Sequence, residues 1–449
     1  MSVGVGLNVR TGALFRPGAT GRARLRTTGK HTGASARSAN RAGSVPRTVI
    51  TLEDLREARA RVAPVIRDTP LTRSGALGRL VGRPLWCKGE HLQRTGSYKI
   101  RGAYNRISRL DPLASPAGVV AASAGNHAQG VALAARLSGI ASTIFMPTTA
   151  PLPKVVATRS YGADVRLEGT VVDDCIIAAL AHAERTGATF VPPFDDPHII
   201  AGQGTVGLEL AEGAPDAEVV VVPVGGGGLI AGVATALAHT RPGTKVVGVE
   251  AAGAACMRGS LDAGRATVLE RVTTMADGIA VRSPSALTLA HVQAYVDDVV
   301  TVTEEEISRA VLLLLERSKA VVEPAGAVGL AALLAGKVPG TGPAVTILTG
   351  GNVDPLLLVK MIDHGLSATG RYLVVRVLLG DRPGALASLT ATLAGLGLNV
   401  LSVEHHRAGL GLGVDEVEVL VTLETRDPDH RGEIVAAIGA AGFTVERLR

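Results

Sequence analysis

Lys99 stands at the end of Thr95-Gly-Ser-Tyr-Lys99, a turn-forming run leading into a helix predicted over Tyr98 to Leu110. An amine at that point feels the positive end of the helix dipole, and burial would add desolvation. Both favour the neutral form, which can make a Schiff base with a carbonyl. Taken alone, the position reads as a surface lysine at a helix start. Three further segments carry chemistry of their own. Ser123-Ala124-Gly125-Asn126-His127 follows an apolar run and opens a helix, so its N–H groups suit a carboxylate or phosphate. Asn126 could meet a phenolic oxygen, whereas His127, with no HxH or HExxH spacing around it, reads as a structural hydrogen-bonder. Gly225-Gly226-Gly227-Gly228-Leu229 offers N–H groups free of side chains to wrap a phosphate, and the lack of a following Gly-Lys-Ser/Thr disfavours a nucleotide P-loop. Thr349, in Thr349-Gly-Gly-Asn352, offers a neutral hydroxyl to a heterocycle nitrogen. Gly202-Gln-Gly204-Thr-Val-Gly207 fits GxGxxG, but no convincing strand precedes it.

The elements that must hold these segments alternate. After Val49, short β-branched runs at Gly118–Ala122, Ser142–Met146, Asp164–Leu167, Glu218–Val222, Lys245–Val249 and Ala344–Leu348 are separated by Ala/Leu-rich helical stretches. That alternation predicts an α/β chain with open, mostly parallel sheets. Thr51 to Ala63 reads as a helix, with Thr51 as N-cap, acids at Glu53 and Asp54, and Pro64 as its stop. From Tyr372 the order becomes strand, helix, strand, strand, helix, strand. Leu393–Val400 and Ile438–Val445 echo each other, each pairing a helix end and a glycine with a strand entry, which predicts one ferredoxin-like βαββαβ module after a short linker, Asp363–Gly370.

The charge is unevenly placed over the 449 residues. Met1 to Arg47 holds eight arginines, Lys30 and no acid, a net +9; the remainder has 37 basic and 40 acidic residues, a net −3. Residues 1–47 are expected to be a disordered basic tail. With only 2% aromatic residues there is little to stack on bases, and no nucleic-acid partner is expected. Cys87, Cys175 and Cys256 are odd in number and widely spaced, which points to a reducing compartment and no disulfide framework. The uncharged stretch Val219–Ala238 is long enough for a membrane span, but Pro223 and four successive glycines favour a buried strand, a turn and a helix from Leu229.

Taken together and in order, these segments resemble the fold-type II pyridoxal-phosphate enzymes, most closely the threonine dehydratase (threonine ammonia-lyase) and serine dehydratase family. The resemblance runs from about Thr51 to Asp363. It rests on the Lys99, Ser123, Gly225 and Thr349 segments, with Pro193-Phe-Asp-Asp196, Ala201-Gly-Gln-Gly-Thr205, Ala276-Asp-Gly-Ile279 and Glu323-Pro-Ala-Gly326. It implies a tryptophan-synthase-beta-like catalytic domain over 48–365, with a small subdomain at roughly 92–192 inserted in the large one. It also implies pyridoxal 5'-phosphate as cofactor, carried by Lys99 and held at its phosphate by Gly225, Gly226, Gly227, Gly228 and Leu229. Asn126 would meet its ring oxygen, and Thr349, where the family commonly has Ser or Cys, would face its ring nitrogen. Ser123, Ala124, Gly125, Asn126 and His127 would hold the substrate carboxylate.

Two departures narrow the expectation. Ala124 stands where the related serine racemases place a second base, a serine. Cys256 stands where their divalent-metal segment, here Glu250 to Cys256, has an acid, so no metal is expected. Residues 370–449 resemble an ACT domain through Leu379-Gly-Asp381-Arg-Pro-Gly384-Ala-Leu386 and Asn399-Val-Leu-Ser-Val-Glu404-His-His406. In it Asp381, Arg382, Pro383, Gly384 and Ala385 would receive an effector carboxylate, with isoleucine or valine as candidates. The resemblance implies a cytoplasmic homodimer or homotetramer that acts on a small amino acid away from membranes. Its reaction would convert L-threonine to 2-oxobutanoate and ammonia by β-elimination, with some L-serine activity, in isoleucine biosynthesis or threonine catabolism. The alternatives are a serine racemase or serine-preferring dehydratase, a catalytically idle amino-acid-binding regulator, and a dinucleotide-dependent dehydrogenase.

Overall fold

The computed structural model describes residues 49–368, 371–407 and 412–448; the basic tail, 1–47, lies outside them. The β-branched runs form strands within a residue or two of their expected bounds and divide between two sheets. A six-stranded sheet runs Leu71–Arg73, Leu85–Lys88, Ala344–Ile347, Val219–Pro223, Lys245–Ala251, Asp298–Val302, parallel except for the first pair. A four-stranded parallel sheet runs Asp164–Leu167, Ser142–Met146, Val119–Ala122, Thr189–Phe190. Val219–Pro223 and Val119–Ala122 are buried at every position, as strands covered by helices on both faces must be.

Local rules account for the helix ends. Thr51 caps Leu52–Val62 in a reciprocal box with Asp54. The helix after the Thr-Gly-Ser turn begins at Lys99 and stops at Ile107, three residues short of the expectation, where the Ser108 hydroxyl turns back to donate to the Tyr104 carbonyl at 2.7 Å. Val219–Ala238 resolves into strand, glycine turn and the helix Gly228–Thr240. Among the described residues no helix is long and apolar enough to cross a membrane. The stretch read as a linker, 363–370, is helical as far as Ala368, because the apolar run that starts at Pro355 carries its helix through it.

The GxGxxG match has a packing role. It lies in mid-helix, within Pro197–Gly213, and its glycines set two helix crossings. A Cβ on Gly202 would stand 2.6 Å from the Gly102 Cα. On Gly204 it would stand 2.8 Å from the Gly232 carbonyl, and on Gly207 2.9 Å from that of Val233. One helix is thereby locked against both the helix that starts with Lys99 and the helix that follows the glycine turn. A dinucleotide reading of this motif has no strand-to-helix turn to stand on.

The C-terminal residues form an antiparallel sheet ordered Val400–His406, Glu416–Glu424, Tyr372–Gly380, Thr444–Arg447, with helices Ala385–Gly395 and Pro428–Ala440 between the strands. Buried and less buried residues alternate along Tyr372–Gly380 and Glu416–Glu424, and Leu373, Val375, Val377, Val417, Val419 and Val421 turn inward with Leu389, Leu393, Ile434 and Ile438. The echoed glycines, Gly397 and Gly442, follow the two helix ends with φ of 68° and 91°.

Candidate active site

Parallel strands deliver their functional loops at their C-terminal ends, and four such ends meet here. Ser123 follows Val119–Ala122, Pro193 follows Thr189–Phe190, Gly225 follows Val219–Pro223 and Thr349 follows Ala344–Ile347. They enclose a cavity of about 270 Å³, lined by Lys99, Ser123 to His127, Gly225 to Leu229 and Thr349. Every catalytic, cofactor and substrate residue expected from the sequence therefore reaches one space.

The backbone before Lys99 is held in an unusual shape. Thr95 has a φ of 61°, a left-handed conformation that costs a β-branched residue about 1–3 kcal/mol. It is clamped by the Thr349–Asn352 turn: Tyr98 N–H donates to the Thr349 carbonyl at 3.2 Å, Gly351 N–H to that of Gly96 at 2.9 Å, and the Asn352 amide to that of Thr95 at 2.7 Å. So placed, the Lys99 ammonium donates to the Pro193 carbonyl at 3.1 Å and lies 5.3 Å from the Tyr98 ring centroid. Desolvation lowers its pKa to about 8, against the opposing pull of Glu323. At neutral pH the neutral amine is within easy reach.

Asn126 opens the helix Asn126–Leu137 and is oriented from both sides. Its Oδ1 accepts from Asn352 Nδ2 at 2.8 Å, and its Nδ2 donates to Glu323 Oε1 at 2.6 Å. His127 Nε2 contacts the Val191 carbonyl at 2.9 Å. Burial, aided by the charge of Lys99, pushes its pKa down to about 3, so the ring is neutral and structural. The Thr349 residue is buried at 3% exposure on the opposite loop.

The glycine turn is closely fitted. Gly227 has a φ of 92°, and a Cβ on Gly226 would stand 2.2 Å from the Phe194 ring. As the first residues of their helix, Gly228 and Leu229 have N–H groups with no carbonyl one turn back to pair with. Bare N–H groups at a helix start, a cradle that any side chain would fill, and a lysine with a lowered pKa in the same cavity fit a phosphate-bearing aldehyde cofactor. Gly226→Ala is expected to weaken retention of pyridoxal phosphate at least about tenfold and to destabilise the apoprotein by about 1–3 kcal/mol through overpacking against Phe194. Cofactor titration and thermal melts of the apoprotein check both.

Sequence reasoning left four charged or polar residues of the site without a role. Glu323 is buried at 2% exposure; burial, then the charge of Asp277, raise its pKa to about 7. Lys154 pairs with Asp277, and both line the cavity. Asn352 supplies the link to Asn126. The signal for Glu323 was a carboxylate directly before the proline of a helix, Pro324–Leu334, that is buried at every residue but its last. The Glu250–Cys256 segment has a different use: the Glu250 carboxylate accepts the Met257 and Arg258 N–H groups at 2.8 and 2.9 Å and closes the start of the helix Cys256–Ala263. Among the described residues no three His, Cys, Asp or Glu side chains gather as a metal-ligand set. Asp381 to Gly384 are exposed, and Gly384 with a φ of 91° precedes the helix at Ala385.

Comparison with known proteins decides the family. The model of the family described as pyridoxal-phosphate dependent enzyme matches residues 62–350, and that of the ACT domain matches 373–447. This chain belongs to the pyridoxal-phosphate-dependent enzymes. Its fold is that of fold-type II, and its cofactor is pyridoxal phosphate. A protein named L-threonine ammonia-lyase from Thermotoga maritima is 49% identical to this pyridoxal-phosphate-dependent enzyme over 398 residues, 88% of this chain and 99% of its relative. The solved structure of the processed form of threonine deaminase isoform 2 from Solanum lycopersicum is 40% identical. It has a TM-score of 0.67 and covers 70% of this chain and 87% of its own. The structure of maize serine racemase is 37% identical, with a TM-score of 0.67, over 71% of this enzyme and 99% of its own chain.

Proposed function

We propose that this enzyme converts L-threonine to 2-oxobutanoate and ammonia by β-elimination of the hydroxyl, and that L-serine is a second substrate. The observation that carries this reading is the meeting, in one cavity, of a lysine of lowered pKa, the Ser123–His127 loop and the Gly225–Leu229 turn. It is supported by near full-length similarity to a protein named L-threonine ammonia-lyase. When bound, the cofactor supplies an electron sink for the pair left at the substrate Cα.

The chain's own residues supply the rest. Gly225 to Leu229 would hold the phosphate through main-chain N–H groups. Asn126, fixed by Asn352 and Glu323, would meet the ring oxygen. Thr349 would face the ring nitrogen, and its hydroxyl would bring none of the charge an aspartate would. The loop from Ser123 to His127 holds the substrate carboxylate. The Lys99 amine would take the Cα proton, the β-hydroxyl would leave with a proton as water, and addition of water to the resulting enamine would give the 2-oxo acid and ammonia. Ala124 presents a methyl group to the cavity, where a racemase needs a second proton carrier.

The C-terminal module is the regulatory part of the same reading: the Asp381–Ala385 loop receives the carboxylate of a branched-chain amino acid, and pairing of modules makes the enzyme a homodimer or homotetramer. Three free cysteines agree with a cytoplasmic setting. A 2-oxo acid assay on the cofactor-loaded enzyme, with threonine and serine and repeated with isoleucine and valine, tests the reaction and its regulation. Threonine should be turned over, and isoleucine or valine should shift its saturation curve. If neither substrate yields a 2-oxo acid, the reaction assignment fails; D-serine formed from L-serine would favour the racemase.

A further inference from the structure

Lys154 is the cation of the cavity that the reaction above leaves unused, together with its partner Asp277. It is the third residue of the helix Leu152–Ser160, in the first turn, where the helix dipole disfavours a cation. Its position is therefore no aid to the helix that carries it. Its side chain is 9% exposed, whereas that of its ion-pair partner Asp277 is 52% exposed. A buried ammonium needs an anion beside it, while a half-exposed carboxylate can turn to water at little cost. The pair is thus unequal: Asp277 can leave, and Lys154 stays.

The ammonium also faces the right loop. A Cβ on Gly125 would stand 3.8 Å from the Lys154 Nζ. Of the charged side chains lining the cavity, Lys99, Lys154, Asp277 and Glu323, Lys99 belongs to the cofactor and two are acids. An incoming carboxylate at the Ser123–His127 loop meets Lys154.

We propose that Lys154 binds the α-carboxylate of the amino-acid substrate, and that Asp277 holds its charge until the substrate arrives. The inference rests on the proposed function only in taking an α-amino acid as the ligand. It makes Lys154 a substrate-binding residue, and it sets the ligand class as amino acids with a free carboxylate rather than amino alcohols or amides.

The test uses the holoenzyme and its Lys154→Met, Lys154→Arg and Asp277→Asn variants. Each is titrated through the visible absorbance of the cofactor with L-threonine and with L-threoninol, which has CH₂OH in place of the carboxylate, and 2-oxobutanoate formation is followed in parallel. In Lys154→Met the apparent Kd and the KM for threonine should rise at least about tenfold, the size expected for a lost charge-assisted contact. Threoninol affinity should change less than about twofold, and kcat should fall by less than KM rises. Lys154→Arg should recover most of the loss, and Asp277→Asn should bind threonine as well as the parent or better. Three results would overturn the proposal: unchanged threonine affinity in Lys154→Met, equal loss for threonine and threoninol, or equal loss in Lys154→Met and Asp277→Asn. The last is what a purely structural latch predicts. A parent enzyme that responds spectrally to threonine but forms no 2-oxobutanoate refutes the reaction while the titrations still decide Lys154; one that shows no response to threonine overturns both.

Discussion

Lys99→Ala should lower turnover of threonine by at least about 10³-fold and remove the visible absorbance of lysine-bound cofactor. One side chain is lost, but it serves twice, as the covalent holder and as the base, and general base catalysis by itself contributes about 10²–10⁴-fold. The loss is chemical, and stability shows it. The folded-state pKa of Lys99 lies below its ordinary value, at about 8, so between pH 8 and the ordinary lysine range the unfolded chain binds more protons than the folded one, and stability rises with pH there. At neutral pH the buried ammonium is a cost that alanine removes. The apo form of Lys99→Ala should therefore melt no lower than the parent apoprotein at pH 7, and the parent should gain on it as pH climbs through 8 to 10. A variant that loses activity and also melts lower would mean that Lys99 holds the fold rather than the chemistry.

The largest loss of stability is expected from Arg101→Met, two residues along the same helix. Arg101 is fully buried and forks onto two carboxylates: Nε and one terminal nitrogen donate to Glu90 at 2.8 Å each, and its terminal nitrogens reach Glu209 at 2.5 and 3.0 Å. Lys88 also meets Glu209, at 2.7 Å. Burial pushes the Glu90 carboxyl up, but the charge and hydrogen bonds of Arg101 outweigh it and hold the group below the usual carboxylate range. Without Arg101 this carboxylate is stranded, at a cost of about 3–5 kcal/mol, or a melting temperature lower by about 5 °C. The sign with pH follows. A depressed carboxyl contributes stability above its unfolded pKa and loses it as pH falls through the folded value, so the parent loses this contribution in acid and the variant, whose Glu90 can protonate, does not. The gap between them should be widest at neutral pH and should close on acidification. Adding Glu90→Gln to Arg101→Met should recover part of the loss, because no uncompensated charge then remains.

What the sequence disclosed, it disclosed locally. Runs such as Val219–Val222 announce buried strands, and small-residue turns directly after them announce anion sites, because both signals are complete within ten residues. The strand Leu85–Lys88 was hidden because its four residues include no β-branched side chain and one is a lysine, which Glu209, far along the chain, neutralises. Glu323, Lys154 and Asp277 were illegible for the same reason. Asn126 and Glu323 are 197 positions apart and Lys154 and Asp277 are 123, and only the fold makes these distant polar residues partners. GxGxxG failed in the opposite direction, since glycines that admit a phosphate and glycines that admit another helix share one spelling.

The clamp between Thr95–Tyr98 and Thr349–Asn352 also sets a timetable. The two ends of that contact leave the ribosome some 250 codons apart, as the 257-position gap from Thr95 to Asn352 requires, and at about 5–20 residues per second the delay is tens of seconds. Through that interval the lysine and the glycine turn exist but the loop that orders them does not. A nascent chain therefore cannot commit to its cofactor until nearly all of the pyridoxal-phosphate-dependent portion has been made, and a ribosome halted before Asn352 should display a chain that fails to retain the vitamin.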